Sequence, residues 1–211
     1  MIEYSLVSFF IGFNFVLYFF IHILLDYLMI SQQDSTTSSR IKGENPPEWE
    51  NKITMISTLI PTAYLWIIFL LVPVSGIMNQ KVFYEWIFNI EPINTSLQIL
   101  GIILIMIATI VACLGRISRS TRAISWGIPS ILESKGMYRY LRHPLYASYC
   151  YYFIGFVLTF QSVLLLPLLI GIYGYYRTSV YEEMILVNHF GEEYIKYQKN
   201  TGRFFPRLIK R

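Results

Sequence analysis

Long apolar runs separated by short polar stretches set the outline of this chain. A bilayer-spanning helix needs about 20 mostly apolar residues. Residues 4–30 supply one such run, interrupted only by His22 and Asp26. These two lie four apart and share a helix face, turned either into a bundle or toward headgroups and water near the helix end. Residues 31–52 are polar, rich in Ser, Thr, Pro and charge, and predict a linker. Residues 53–77 form a second run containing Pro61 and Pro73, which membrane helices tolerate where neighbours satisfy the freed carbonyl. Residues 78–95 predict a loop carrying Phe83, Tyr84, Trp86 and Phe88, types that favour a membrane interface. A third span is expected over 96–114, followed by a basic polar stretch to His143. Residues 146–176 then run for 31 positions without a charge. As one helix they would extend about 46 Å against a hydrocarbon core of about 30 Å. Two helices with a turn near Thr159, Gln161 and Ser162 fit better, the second continuing past Arg177 to the region of Glu182 as a helical extension.

Composition agrees with the pattern. Of 211 residues 55% are apolar and 14% charged, against roughly 25% charged in soluble domains, and the mean hydropathy is +0.47. A soluble globular domain and a disordered chain are both excluded. The net charge of +4 comes without a basic face or binding motif for nucleic acid. Cys113 and Cys150 sit in apolar stretches and read as buried thiols, and no zinc spacing or other metal set is present. No cleavable leader is expected, because no basic residues precede the first apolar run. Lys and Arg number three in 31–52, one in 79–95, six in 115–145 and seven in 177–211. The positive-inside rule then favours five spans, with the N-terminus outside and the basic loops and C-terminus cytoplasmic.

Two polar clusters could carry chemistry. The segment 136–146 gathers Arg139, Arg142 and His143 ahead of Pro144, a residue suited to the first turn of a helix. Free N–H groups at that helix start can bind an anion, and Tyr138, Tyr140 and Tyr146 can stack on a planar ring. The same residues also read as a basic membrane flank with interfacial tyrosines. The second cluster is Arg177 with Glu182 and Glu183, continuing to His189 and to Glu192 and Glu193. Adjacent helical residues point about 100° apart, so Glu182 and Glu183 cannot both face one ligand, and one of them can pair with Arg139 or Arg142. Glu192 and Glu193 read as solvated surface. No glycine-rich nucleotide fingerprint, P-loop, zincin motif or nucleophile elbow occurs.

Taken in order, Gly136-x-Tyr138, Arg142-His-Pro-x-Tyr146, Glu182-Glu183, Phe190-Gly-Glu-Glu-Tyr194 and Arg203-x-x-Pro206 resemble the isoprenylcysteine carboxyl methyltransferase family, which groups with the membrane phospholipid methyltransferases. The ending 201–206 is similar to its prokaryotic members. The resemblance covers roughly 116–211 and implies an all-α integral membrane protein whose C-terminal helical segment closes a cofactor pocket. It divides the chain into three N-terminal spans (1–115) and a catalytic region (116–211). It implies methyl transfer from S-adenosyl-L-methionine to a lipophilic substrate entering from the bilayer, in the family's paradigm an isoprenylcysteine carboxylate. The family's cofactor positions fall on Leu132, Tyr138, Arg142, His143, Pro144, Leu145, Tyr146 and Glu182. Arg177, Glu182 and Glu183 take the catalytic places, Arg177 resembling the arginine that orients the substrate carboxylate. Two departures stand out. Ser130-Ile-Leu-Glu133 replaces the family's His-x-Leu-Val, and five positions rather than four separate Arg177 from the first glutamate, which turns the arginine about 100° from the expected face. The related sterol reductases, which use NADPH, and a non-enzymatic membrane scaffold are the rival readings. No feature of the sequence sets an oligomeric state.

Overall fold

A computed structural model of the chain describes residues 2–30, 48–83, 93–119 and 131–207. Its elements are helices α1 (Tyr4–Ile30), α2 (Glu48–Ile77), α3 (Asn94–Ser118), α4 (Pro144–Phe160), α5 (Ile170–Phe190) and α6 (Glu192–Asn200), with short 3-10 helices at Gly136–Arg139 and Val163–Leu169. Among the described residues no strand forms. Four helical stretches are long and apolar enough to cross a membrane: Tyr4–Leu25, Glu48–Ile77, Asn94–Ser118 and Val163–Phe190. The expected first three spans correspond to α1, α2 and α3, with α3 running four residues further than foreseen. The expected fourth span is α4, which has only 17 residues and falls short of the other four. The count of five therefore rests on this shorter helix.

The break in the long uncharged run falls where the polar residues lie. Gln161 ends α4 in a left-handed conformation, φ 49°, and its side-chain amide donates to the Asn94 carbonyl at 2.6 Å. The chain turns through Val163–Leu169, which contains Pro167, and returns as α5. α4 lies against α3 and α5 against α2. Small residues permit the close approach. A Cβ on Gly101 of α3 would come within 2.5 Å of the Thr159 nitrogen and 2.6 Å of the Gly155 oxygen on α4. A Cβ on Gly174 of α5 would meet the Ser57 backbone of α2 at 2.6 Å.

Packing inside the bundle is aromatic, with Phe69, Tyr152, Phe153, Phe156 and Phe160 fully buried. One polar knot crosses it. The Thr109 hydroxyl on α3 lies 2.8 Å from Asn14 Oδ1 on α1 and 2.9 Å from the Tyr152 phenol on α4. In a bundle that water does not reach, such polar side chains must find each other. α1 keeps a lipid-type outer face, with Phe9, Phe13, Val16, Phe20 and Ile23 exposed. His22 turns inward to stack on Tyr18, ring centroids 3.9 Å apart. The Asp26 side chain lies outside the described residues, as do the linker 31–47, Tyr84, Trp86, Phe88 and Ser130.

Candidate functional site: a carboxylate clamp beside a half-open acid

The Gly-x-Tyr turn is built first. Gly136 adopts φ +55°, and a Cβ there would run into the Ser118 hydroxyl at 2.3 Å. That hydroxyl accepts the Met137 N–H at 2.9 Å. The end of α3 thus fixes the start of the short 3-10 helix that carries Tyr138. Two residues on, the chain becomes extended and pairs with the tail. The Arg142 N–H donates to the Gly202 carbonyl at 2.7 Å, the Gly202 N–H to Tyr140 and the His143 N–H to Arg203, around a parallel bridge between Leu141 and Gly202. Pro144 then opens α4, whose N-terminus has no side-chain cap among the described residues.

Glu183 of α5 reaches this junction and is buried at 4% exposure. It accepts from Arg142 Nε at 2.9 Å, His143 Nε2 at 3.1 Å, Gln198 Nε2 at 2.9 Å, and Arg203 Nε and Nη2 at 3.0 and 2.6 Å. Arg142 also donates to the carbonyls of Gln198 and Thr201. Loop, α5, α6 and tail therefore converge on one carboxylate. A buried acid is retained only with such partners. The same ion pair raises the Arg203 guanidinium above its ordinary pKa.

Glu182 differs from its neighbour, as the 100° turn between adjacent helical residues requires. Its side chain is 45% exposed. It accepts a short hydrogen bond from the Tyr146 phenol and lies 3.4 Å from His143 Nδ1. His143 is thus buried between two carboxylates, its ring parallel to that of Tyr146, centroids 5.5 Å apart. Burial works against a charge on the imidazole, but Glu182 and Glu183 outweigh it and raise the pKa above 6.5. Tyr138 stands nearby with its phenol pKa raised, chiefly by burial, and its carbonyl accepts from Tyr197 of α6 at 2.6 Å.

Of the sequence-predicted residues, Tyr138, Arg142, His143, Pro144, Leu145, Tyr146, Glu182 and Glu183 lie on this one junction. Leu132 is on the irregular segment leading into it, half-buried. Of the two arginines weighed as partners for the acids, Arg142 makes the pair and Arg139 is exposed. Glu192 and Glu193 are exposed. Arg177, although on α5, pairs with Glu50 of α2 and donates to the Tyr181 phenol at 2.8 Å. Sequence reasoning missed Gln198, whose only signal is its place on α6 two residues before the tail turns back. It also missed Glu50, which it left in the polar linker.

Among the described residues no group of His, Cys, Asp and Glu suits a metal ion. Residues 96–193 match the phospholipid methyltransferase family. Over 82 residues the chain is 33% identical to a protein-S-isoprenylcysteine O-methyltransferase from Tribolium castaneum, covering 36% of this chain and 28% of that protein. The human protein of the same name is 32% identical over 83 residues, covering 37% and 29%. The chain thus aligns with less than a third of the length of either relative. No solved structure matches. The matched stretch begins in α3 and takes in the Gly-x-Tyr turn, the start of α4 and both glutamates, so that over residues 96–193 the chain is similar to the phospholipid methyltransferase family.

Proposed function

We propose that the chain transfers the methyl group of S-adenosyl-L-methionine to a lipophilic membrane-borne acid of isoprenylcysteine type, forming a methyl ester. The observation that carries this reading is the contrast within the glutamate pair. Glu183 is consumed by holding the tail, whereas Glu182 keeps a half-exposed carboxylate next to Tyr146, His143 and the uncapped start of α4. An amino acid joined to a nucleoside suits that set. Its carboxylate fits the free N–H groups at the helix start. Its ammonium or ribose hydroxyls fit Glu182, and its base fits the rings of Tyr138 and Tyr146. Leu132, Pro144 and Leu145 supply the apolar walls.

Bound there, the cofactor supplies a methyl group already activated by a sulfonium, so the protein has to bind, orient and exclude water. A carboxylate substrate is a nucleophile near pH 7 and needs no base. Arg177 is the proposed clamp for one carboxylate oxygen, leaving the other to attack. Glu183 and Arg142 act as positioning residues that hold loop and tail over the site. The excess of Lys and Arg in 115–145 and 177–211 supports a cytoplasmic position for this face.

Calorimetry with S-adenosylmethionine and its demethylated product, on detergent-purified protein, tests the reading. Binding that weakens in Glu182→Gln supports it. No binding of either compound by folded protein overturns it and shifts weight to a nicotinamide reductase or a scaffold.

A further inference from the structure

Arg177 stands apart from the Glu183 cluster although both lie on α5. Its guanidinium forms an ion pair with Glu50, in the first turn of α2. Nη2 also donates to the Tyr181 phenol at 2.8 Å, and the guanidinium carbon lies 5.2 Å from the Tyr181 ring centroid. The two charged side chains are 27% and 21% exposed, so the pair sits at a rim and not in the core. The Nε–H of Arg177 is buried and has no hydrogen-bond partner among the described residues. Guanidinium offers Nε–H and one Nη as a parallel fork that matches the two oxygens of a carboxylate. Here the fork is half used: an acid takes the Nη2 side, while the buried donor beside it lacks an acceptor.

We infer that Glu50 is a placeholder for the substrate's carboxylate, neutralising Arg177 while no acid is bound and giving way when a substrate acid takes the Nε–Nη2 fork. The inference rests on the methyl-ester reading above. Charge is conserved in the exchange, since one carboxylate replaces another on the same cation. Esterification then removes the substrate's charge, and Glu50 recaptures Arg177, which favours release of the neutral product over the acid. The fold allows the movement. α2 is held against α5 at Ser57 by Gly174 and by the Thr58–Thr178 hydroxyl contact at 3.4 Å. Glu50 lies seven residues before Ser57, toward the start of the helix and beyond the fixed crossing. Glu50 is on this account a positioning residue that sets preference for acid over ester.

The test measures initial rates on N-acetyl-S-farnesylcysteine with detergent-purified wild type, Glu50→Gln and Glu50→Asp. A partly exposed ion pair is worth little, so removing the competitor should lower KM for the acid about two- to fivefold in Glu50→Gln. The KM for S-adenosylmethionine should not move, and Glu50→Asp should fall between. A merely structural ion pair would leave KM unchanged or raise it. An unchanged or raised KM for the acid in either variant, with unfolding temperature near that of wild type, overturns the inference. If Glu50→Gln fails to fold, the milder Glu50→Asp decides alone. If wild type esterifies no acid, the methyltransferase reading falls by itself. Calorimetric binding of the same acid and of its methyl ester, without cofactor, then reads Glu50 directly. Tighter binding of the acid alone in the variant supports the placeholder, and equal affinities overturn it.

Discussion

Glu183 Oε2 lies 2.6 Å from Arg203 Nη2, and this contact ties the tail to α5. The Glu183 side chain is 5% exposed and that of Arg142, its second cation, 9%. Glu183→Gln keeps the shape but leaves Arg142 and Arg203 without their acid. Breaking one partner of a buried pair costs about 3–5 kcal/mol. Thermal unfolding should show a marked loss of stability, with proteolysis near residues 198–207 ahead of cleavage elsewhere. Arg203→Lys, which keeps the charge and loses the fork, should lie between.

Glu182 should behave differently. Being half exposed and held only by the Tyr146 phenol and the His143 ring, it can be neutralised with a smaller effect on unfolding than Glu183. Hydrogen bonds to charged groups contribute about 1.5–3 kcal/mol, so Glu182→Gln should weaken S-adenosylmethionine binding roughly 10- to 100-fold. Equal stability loss in Glu182→Gln and Glu183→Gln would refute the division of labour between the two acids.

His143 gives the site a pH dependence of known sign. Its folded pKa is raised above 6.5, so the protonated ring favours the folded state. That contribution is complete below 6.5 and disappears as pH rises through the raised value. Unfolding temperature should therefore fall from pH about 6.5 upward. Among the described residues Glu182, Glu183 and the stacked Tyr146 face the ring, and Arg142 and Arg203 share Glu183 with it. In His143→Gln this part of the pH profile should flatten; an unchanged profile would show that folding does not raise the pKa of the ring.

The α3–α4 crossing predicts a contrast between glycines. A methyl at Gly101 meets backbone atoms at 2.5 and 2.6 Å, whereas one at Gly12 meets the Pro73 side chain at 3.2 Å. Overpacking costs about 1–3 kcal/mol. Gly101→Ala should show that loss in thermal unfolding, and Gly12→Ala less than half of it.

How much of this was legible beforehand depended on how local the cause was. The hairpin could be read because 31 uncharged residues exceed what one span can bury, and Gln161 marks its turn. The Gly136 turn and Pro144 at the helix start are local as well. The geometry of a helix shows that Glu182 and Glu183 point apart, but which one is buried depends on Arg203, 20 positions on. The Arg177–Glu50 pair was illegible for the same reason. Its partners are 127 positions apart, and an acid at the edge of a polar linker carries no sign that a distant cation faces it. The reach of α3 to Ser118 was missed because its last turn is polar. Ser118 is nevertheless held there, its hydroxyl receiving Met137 and donating to Leu114 at 2.6 Å.

The clamp around Glu183 also orders events during synthesis. Arg142 and His143 leave the ribosome about 40 residues before their acid does, and the tail that completes the shell follows some 20 residues later. In between come α4, the turn and most of α5. A nascent chain interrupted within α5 therefore carries two uncompensated basic groups at the mouth of a half-built bundle. It has not yet acquired the segment that seals them, and membrane quality-control proteases would meet it in that state.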